Sequence, residues 1–390
     1  MLLRPTQYMN KRILIDATNT AITIPNGGSF CTQAYMEAIL ALYPGQVDVL
    51  HPEEAHIRDS RYQTIDVPQR NGIQRILGFL RGRFYRSASF LVDYLRAHQE
   101  EYGMVMINTG LYAGCNVSAL HALGLHIVIL HHNFEPEYRI DSKSILTLKG
   151  RTDRLVRYWE RKGYQGADIN LFLTCQDRLR FEQEYGTHAH NYVTSIFETR
   201  AERQPLVTHD TTKSAVITCA LGDIQNQAPL LRFAEQYLPN FRTVLPDWTI
   251  HLMGRNPSKA IREMVEQHDC MTLTPNPEHI RELAAQSTIY LCPMDAGGGL
   301  KLRLMDGLRA GQPVLVHERS ARGYDALLDT PYFYTYHDPA SFEKGLKQIL
   351  HYLQSADYSR ASIQDKHYEL FGLEVGIERL RKILNENIGR

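Results

Sequence analysis

The sequence lacks an excess of charge of either sign, and it lacks any long apolar run. Its 390 residues include 43 Lys and Arg against 43 Asp and Glu, which gives a net charge of zero. Proteins that bind nucleic acids generally carry a basic surface, so the balanced charge argues against that class. No stretch approaches the ~18 consecutive apolar residues that a membrane-spanning helix needs. We therefore predict a soluble protein whose contact with a membrane, if it has one, is peripheral.

Paired cysteines and the common catalytic motifs are absent as well. The six cysteines are widely separated and form no C-x-x-C pair, which argues against a zinc site and favours reduced thiols in the cytoplasm. The sequence has no D-x-D pair, no H-E-x-x-H, no G-x-S-x-G and no phosphate-binding G-x-x-x-x-G-K-[ST] loop. These absences predict chemistry without a metal ion and without a bound cofactor.

Apolar runs alternate with helical stretches in two successive blocks. The predicted strands are residues 12–16, 47–50, 104–108, 126–131 and 169–174, and then residues 215–220, 249–253, 271–273, 289–292 and 313–316. Such alternation is typical of parallel, doubly wound sheets. We predict an α/β fold with two Rossmann-like domains, residues 1–196 and 214–355. A polar linker over residues 197–213 joins them, and helices over residues 356–390 are expected to return to the first domain.

A glycine-rich segment carries the strongest chemical signal. A predicted strand ends at Cys292, three glycines follow at residues 297–299, and a helix is predicted to begin with Lys301 and Arg303 in its first turn. Glycines let a backbone approach a ligand closely, and the N-terminus of a helix favours negative charge. Two cations at that end repel the helix dipole unless an anion binds there. The pattern favours a pyrophosphate site over a flexible connection.

This segment resembles the donor-binding signature of GT-B glycosyltransferases of the retaining group often called family 4. Other stretches resemble the family's motifs in the expected order: residues 26–28, 130–135, 173–177, 220–226, 252–257 and 316–323. The resemblance implies two domains that face each other across a cleft. It implies transfer of a sugar, with retention, from a UDP- or GDP-sugar to a glycan or lipid-linked acceptor. It also implies a role in surface polysaccharide or glycoconjugate synthesis.

The resemblance assigns roles to individual residues. It implies that His132, Lys301 and Arg303 are catalytic. It implies that the donor is bound by Gly222, Asn226, Gly254, Arg255, Gly298, Gly299, Leu300 and Asp306. An acceptor-side or phosphate loop is expected to contain Gly27, Gly28 and Glu135. Asp306 is expected to bind the nucleotide ribose. Adjacent strand residues point to opposite faces, so only one of His131 and His132 is expected to face the ligand, and the resemblance favours His132.

One departure from the family pattern leaves other functions open. Family members commonly carry two glutamates eight positions apart in the signature, whereas this chain has Gly298 and Asp306. The loss is compatible with a catalytically degenerate GT-B protein that binds a nucleotide or glycan as a partner in polysaccharide assembly. A sugar-nucleotide epimerase on the same fold is the other alternative.

Residues 70–86 form the second local concentration of positive charge. Five arginines stand between Asp66 and Asp93 with no acidic residue among them, and apolar residues are interleaved with them. Such an element is typical of a helix that lies on an anionic membrane surface. An ordinary helix that packs its apolar face on the sheet is the alternative. Peripheral contact with the inner face of the membrane is therefore one hypothesis for these residues.

Overall fold

The computed structural model describes residues 11–18, 27–80, 83, 85–136, 149–207, 212–296 and 299–388. The chain divides into two compact units. The first contains residues 1–201 together with 371–390, and the second contains residues 202–370. The chain passes from the first unit to the second between residues 201 and 202, inside the predicted linker. It returns to the first unit between residues 370 and 371, inside the predicted C-terminal helices. Within the described ranges, no helix is both long enough and apolar enough to cross a membrane.

The first unit is built on a parallel sheet of seven strands. They are β1 (Arg12–Asp16), β2 (Val47–Pro52), β3 (Gln63–Val67), β4 (Tyr102–Asn108), β5 (His126–His131), β6 (Ile169–Phe172) and β7 (Asn191–Val193). Their order across the sheet is β3-β2-β1-β4-β5-β6-β7. The chain order therefore reverses between β1 and β4, as in a doubly wound sheet. The inner strands β1, β2, β4, β5 and β6 are almost wholly buried, because helices cover both faces.

Eight helices of the first unit connect and cover these strands within the described residues. They are α1 (Gly27–Leu42), α2 (Gly72–Leu80), α3 (Ala88–Ala97), α4 (Gly110–Ala113), α5 (Val117–Ala122), α6 (Lys149–Gly166), α7 (Cys175–Tyr185) and α15 (Leu373–Ile388), numbered in chain order. The chain between β4 and β5 forms two short helices, α4 and α5. Gly114 lies too close to the carbonyl of Trp159 for a side chain at that position, since a Cβ there would be 2.0 Å from the oxygen.

The second unit is built on a parallel sheet of six strands. They are β8 (Ser214–Ala220), β9 (Thr249–Arg255), β10 (Met271–Pro275), β11 (Ile289–Cys292), β12 (Val314–His317) and β13 (Phe333–Tyr336), in the order β10-β9-β8-β11-β12-β13. The chain order reverses between β8 and β11. Two doubly wound parallel sheets confirm the fold class predicted from the sequence.

The helices of the second unit alternate with its strands. They are α8 (Ile224–Arg232), α9 (Leu238–Val244), α10 (Lys259–Glu266), α11 (Ile280–Ala285), α12 (Arg303–Arg309), α13 (Pro339–Leu353) and α14 (Arg360–Phe371), whose last residue belongs to the first unit. A π-helical turn over Phe233–Tyr237 joins α8 to α9. Asp338 and Ser341 form a capping box at the start of α13, which fixes where that helix begins.

Candidate functional site

Arg303 lies where the strand order of the second sheet reverses, which is where open parallel sheets bind ligands. It is the first residue of α12, and its Nη1 donates a hydrogen bond to the carbonyl of Thr218 in β8 at 3.0 Å. Burial raises the pKa of the neighbouring Cys219 thiol to about 11, and the Arg303 charge opposes this rise. Arg303 makes no ion pair with any described residue. Within the part of the chain that the structure describes, Arg303 is thus a cation without an ion-pair partner near the carboxyl end of β8.

The loop before α12 contains the predicted glycines and Lys301. Gly299 has a φ of +69°, which a residue with a side chain rarely adopts. Gly297 and Gly298 lie outside the described residues. Leu300 and Lys301 are partly exposed, and the Lys301 carbonyl accepts a hydrogen bond from the Tyr324 hydroxyl at 3.0 Å. Lys301 precedes the helix instead of lying in its first turn, because residues 301–304 form a separate turn in which the Leu304 amide donates to the Lys301 carbonyl.

Asp306, the predicted ribose ligand, is bound to two arginines. Arg309 Nη1 lies 2.7 Å from its Oδ1, and Arg281 Nε lies 3.2 Å from the same oxygen. Arg309 lies three positions after Asp306 in α12, whereas Arg281 belongs to α11 and could not be identified from a local sequence pattern. The Asp306 carboxylate is therefore held by two ion pairs, and its contact with a ribose stays a prediction.

Gly222 and Gly254 allow the ends of β8 and β9 to approach each other. A Cβ on Gly254 would lie 1.7 Å from the carbonyl oxygen of Cys219, and a Cβ on Gly222 would lie 2.6 Å from that of Asn256. A side chain at either position would clash with a backbone carbonyl oxygen, so close packing by itself explains both glycines. Their predicted contact with the donor stays a prediction.

Two further predicted donor ligands flank these glycines. Asn226 Nδ2 donates to the Ala220 carbonyl at 3.0 Å and so closes the loop after β8. Arg255 is exposed at the end of β9, before Asn256, whose φ is +51°. The carboxylate of Asp295, which follows β11, forms two hydrogen bonds with Arg232, at 2.7 and 2.6 Å. Asp295 and Arg232 thus form an ion pair after β11.

The corresponding reversal in the first sheet lies between β1 and β4, where a buried carboxylate ends β1. Asp16 accepts hydrogen bonds from the hydroxyls of Thr18 and Ser87, both at 2.6 Å. Burial raises the pKa of the Asp16 carboxyl, and these bonds oppose the rise. Asn108 at the end of β4 donates to the Asp16 carbonyl at 3.2 Å. This network fixes the two strand ends to each other.

His131 and His132 occupy different environments at the end of β5. His131 stacks on Phe172 with ring centroids 4.8 Å apart, and its Nε2 lies 2.8 Å from Asn170 Oδ1. Burial lowers the pKa of His131 to about 3. His132 is 7% exposed, and its buried Nε2 has no hydrogen-bond partner among the described residues. Burial lowers the pKa of His132 to about 4, so its imidazole is neutral at pH 7.

The remaining predicted residues of the first unit lie near the starts of helices. Gly27 and Gly28 are the first two residues of α1, and Gly27 is exposed. The Glu135 amide donates to the buried Glu160 carboxyl at 3.0 Å. Burial and the Glu135 charge raise the pKa of Glu160 well above its usual range, while the Tyr185 hydroxyl, 2.7 Å from the carboxyl, opposes the rise. Glu160 was not predicted, because it lies in the middle of α6, remote in sequence from Glu135.

No group of three or more His, Cys, Asp or Glu able to hold a metal ion occurs in the part of the chain that the structure describes.

The sequence of the second unit matches a known family. Residues 215–352 match the family described as glycosyl transferases group 1. The match lies wholly within the second unit. No curated protein matches the chain in sequence.

The whole chain also resembles solved structures that have the GT-B fold. HepE from Anabaena, solved with UDP, aligns with a TM-score of 0.66 at 13% identity, over 96% of this chain and 100% of that one. Sucrose-phosphate synthase from Thermosynechococcus elongatus aligns with a TM-score of 0.70 at 12% identity, over 97% and 99%. The lipopolysaccharide outer core galactosyltransferase WaaB aligns with a TM-score of 0.62 at 11% identity, over 96% and 99%. At these identities the likeness establishes the fold. The chain therefore has the GT-B fold, and the residues that match the group 1 family lie in its second unit.

Proposed function

We propose that the protein is a glycosyltransferase that moves a sugar from a nucleotide-sugar donor to a hydroxyl of a glycan or lipid-linked acceptor. The observation that carries the proposal is Arg303, a cation without an ion-pair partner among the described residues, at the strand-order reversal of a group 1 glycosyltransferase domain. A cation at that position suits the diphosphate of such a donor.

In the proposed reaction, the bond between the anomeric carbon and the diphosphate oxygen breaks, and a bond from that carbon to the acceptor oxygen forms. The acceptor proton passes to the leaving diphosphate, and the new bond keeps the original configuration. Arg303 and Lys301 stabilise the charge that develops on the diphosphate, since fixed donors are most effective where charge appears in the transition state. The neutral imidazole of His132 orients a substrate group by hydrogen bonding. No step in this scheme uses a metal ion or a bound cofactor.

The donor in this proposal is a UDP- or GDP-sugar. UDP is supported by HepE, whose structures are described as complexes with UDP and with UDP-glucose. Asp306 is the proposed ligand of the ribose. The residues proposed to surround the donor are Gly222, Asn226, Gly254, Arg255, Gly298, Gly299 and Leu300. Gly27, Gly28 and Glu135 are proposed for the acceptor side or a phosphate loop. Surface polysaccharide or glycoconjugate synthesis in the cytoplasm is the proposed setting.

Contact with an anionic membrane through residues 70–86 is part of the proposal. Ile73 is 72% exposed and Leu77 is 49% exposed, and these two residues share one face of α2 because they are four positions apart. The segment has no acidic residue. Two of its arginines have partners in the first unit, since Arg70 donates to the carbonyls of residues 83 and 85 and Arg86 pairs with Glu54.

A thermal-shift panel of UDP-, GDP-, ADP- and CMP-sugars tests the proposed function. A ligand that binds only the folded protein raises its unfolding temperature. We expect a UDP- or GDP-sugar to do so, and we expect Arg303→Ala and Lys301→Ala each to lower turnover by about a hundredfold while the fold remains intact. Lys347→Ala is the matched control, because this exposed lysine of α13 pairs with Glu343 and lies outside the proposed site.

Three results would contradict this function. The first is a wild-type protein that no nucleotide sugar stabilises. The second is near-normal transfer by both Arg303→Ala and Lys301→Ala, which would remove the phosphate assignment. The third is formation of an epimer of the donor sugar without any acceptor, which would identify an epimerase.

A further inference from the structure

An ion pair joins the end of α8 to the chain that leaves β11. Arg232, the last residue of α8, donates from Nε to Asp295 Oδ2 at 2.7 Å and from Nη2 to Oδ1 at 2.6 Å. Two parallel bonds of this kind fix the direction of a contact as well as its distance. Asp295 lies three residues beyond the end of β11 and two before the first glycine of the glycine-rich segment. The ion pair therefore lies where the chain enters that segment.

The backbone at this entrance is also held by the turn that follows β12. Arg319 Nη1 donates to the Asp295 carbonyl at 3.1 Å, and the hydroxyl of the buried Ser320 donates to the Met294 carbonyl. Both residues belong to the single helical turn Glu318–Ser320, directly after β12. Side chains from two separate elements thus hold the chain just before the glycines.

The far end of the glycine-rich segment is held as well. The Tyr324 hydroxyl donates to the Lys301 carbonyl at 3.0 Å, and Arg303 Nη1 donates to the Thr218 carbonyl at 3.0 Å. Glycine has no Cβ, so a run of three glycines specifies its own backbone conformation only weakly. The placement of Lys301 and Arg303 consequently depends on the contacts at the two ends of the segment.

The exposure of the ion pair argues against a purely stabilising role. The Arg232 side chain is 43% exposed and that of Asp295 is 24% exposed. Ion pairs that solvent reaches contribute little to the free energy of unfolding. The π-helical turn Phe233–Tyr237 begins directly after Arg232, and such turns are rare and frequent at functional sites. Both observations favour a functional reason for the contact.

We infer that Arg232 and Asp295 are positioning residues, whose ion pair holds the start of the glycine-rich segment so that Lys301 and Arg303 meet the donor diphosphate. The inference rests on the proposed function, and it adds two residues that act on the donor through this segment. Without the ion pair, only a fraction of the molecules has the binding conformation, and the apparent affinity for the nucleotide falls by that fraction. A saturating donor still selects that conformation, so the loss affects KM much more than kcat.

Hydrogen exchange of the full chain without ligand provides the first test. We expect Asp295→Ala to speed deuterium uptake over residues 299–305 by about threefold or more, because the start of the segment is no longer held. Arg242→Ala is the matched control and should leave this uptake unchanged. It breaks an ion pair with Asp269 that also belongs to the second unit but precedes β10, at the opposite edge of the parallel sheet. Wild-type uptake in Asp295→Ala would overturn the inference.

Unfolding temperatures separate positioning from stabilisation. We expect Asp295→Ala and Arg232→Ala each to unfold within about 4 °C of the wild type, as the loss of an exposed ion pair predicts. A larger decrease in both variants would assign the ion pair to the stability of the fold and would overturn the inference.

Nucleotide affinity and turnover provide a third test, with UDP and UDP-glucose, or with GDP and its sugar if the donor panel favours them. We expect Asp295→Ala and Arg232→Ala each to raise the calorimetric Kd and the KM by about tenfold, with kcat within about threefold of the wild type. The double variant should bind no more weakly than either single one, because the two side chains act through one contact. Losses that multiply would mean that each side chain binds the nucleotide by itself, and they would overturn the inference.

Failure of this inference is distinguishable from failure of the proposed function. Wild-type Kd and KM in both single variants, in a protein that transfers sugar, would overturn the positioning role alone. A wild-type protein that no nucleotide sugar stabilises would contradict the function, and hydrogen exchange without ligand would still decide whether the ion pair holds residues 299–305.

Discussion

At the scale of single residues, the sequence showed where charged residues cluster along the chain, but it did not show which side chains from other helices bind them. The glycine-rich segment with Lys301 and Arg303 was recognisable, because the pattern itself lies within a few positions. The partners of Asp306 and Glu135 were not, because Arg281 and Glu160 come from other helices and neither belongs to a local motif.

His131 supports a prediction about pH. Its pKa is about 3 in the folded protein and about 6.5 when unfolded, so the unfolded chain binds more protons below pH 6.5. Stability is therefore fully present above pH 6.5 and is lost as the pH falls towards 3, by up to about 1.4 kcal/mol for each pH unit. We expect His131→Phe, which keeps the stacking on Phe172, to lose less stability between pH 7 and pH 4.5 in urea denaturation.

A suitable control for this pH experiment is His56→Asn. His56 is exposed, and asparagine tolerates its positive φ. The control should show the wild-type pH dependence. If His131→Phe showed it too, then the buried imidazole would not be a source of acid sensitivity.

At the scale of elements, the strands that sequence reasoning missed are all at the edges of the sheets. β3 and β7 are the two edges of the first sheet, and β13 is one edge of the second. Inner strands are buried on both faces and form continuous apolar runs, which are easily recognised. The edge strands are half-exposed, and sequences such as Gln63–Val67 contain polar residues throughout. Their pairing depends on the neighbouring strand, which a local pattern does not contain.

The contact between α4 and α6 supports a prediction about glycine. A Cβ on Gly163 would lie 2.0 Å from the Gly110 carbonyl, and backbone atoms cannot give way as a flexible side chain can. We expect Gly163→Ala to destabilise the protein by about 2 kcal/mol or more in urea denaturation. Gly72→Ala is the matched control, because nothing lies within 4 Å of its added Cβ. Equal stability of the two variants would contradict the close approach of the helices.

At the scale of the whole molecule, a net charge of zero conceals local concentrations of positive charge. If residues 70–86 bind a membrane, we expect the protein to sediment with vesicles that contain an anionic lipid, and less so as salt is added. The double variant Ile73→Ser with Leu77→Ser should weaken this binding by about tenfold or more, because two exposed apolar side chains are removed.

The matched control for the vesicle experiment is Leu283→Ser, which removes a leucine that is 43% exposed in the second unit. Its sedimentation should equal that of the wild type. Equal binding to anionic and uncharged vesicles would argue against membrane contact through residues 70–86. The alternative, an ordinary surface helix, would then be favoured.

The first unit is discontinuous in sequence, and this affects how the protein is made. Residues 371–390 belong to it, and α15 packs against α1, with Gly376 so close to Phe197 that an added Cβ would lie 2.2 Å from the ring. During synthesis, these residues leave the ribosome only after the whole second unit. The unit that begins first is therefore completed last, and until then the nascent chain exposes the apolar surface around Phe197 that α15 later covers.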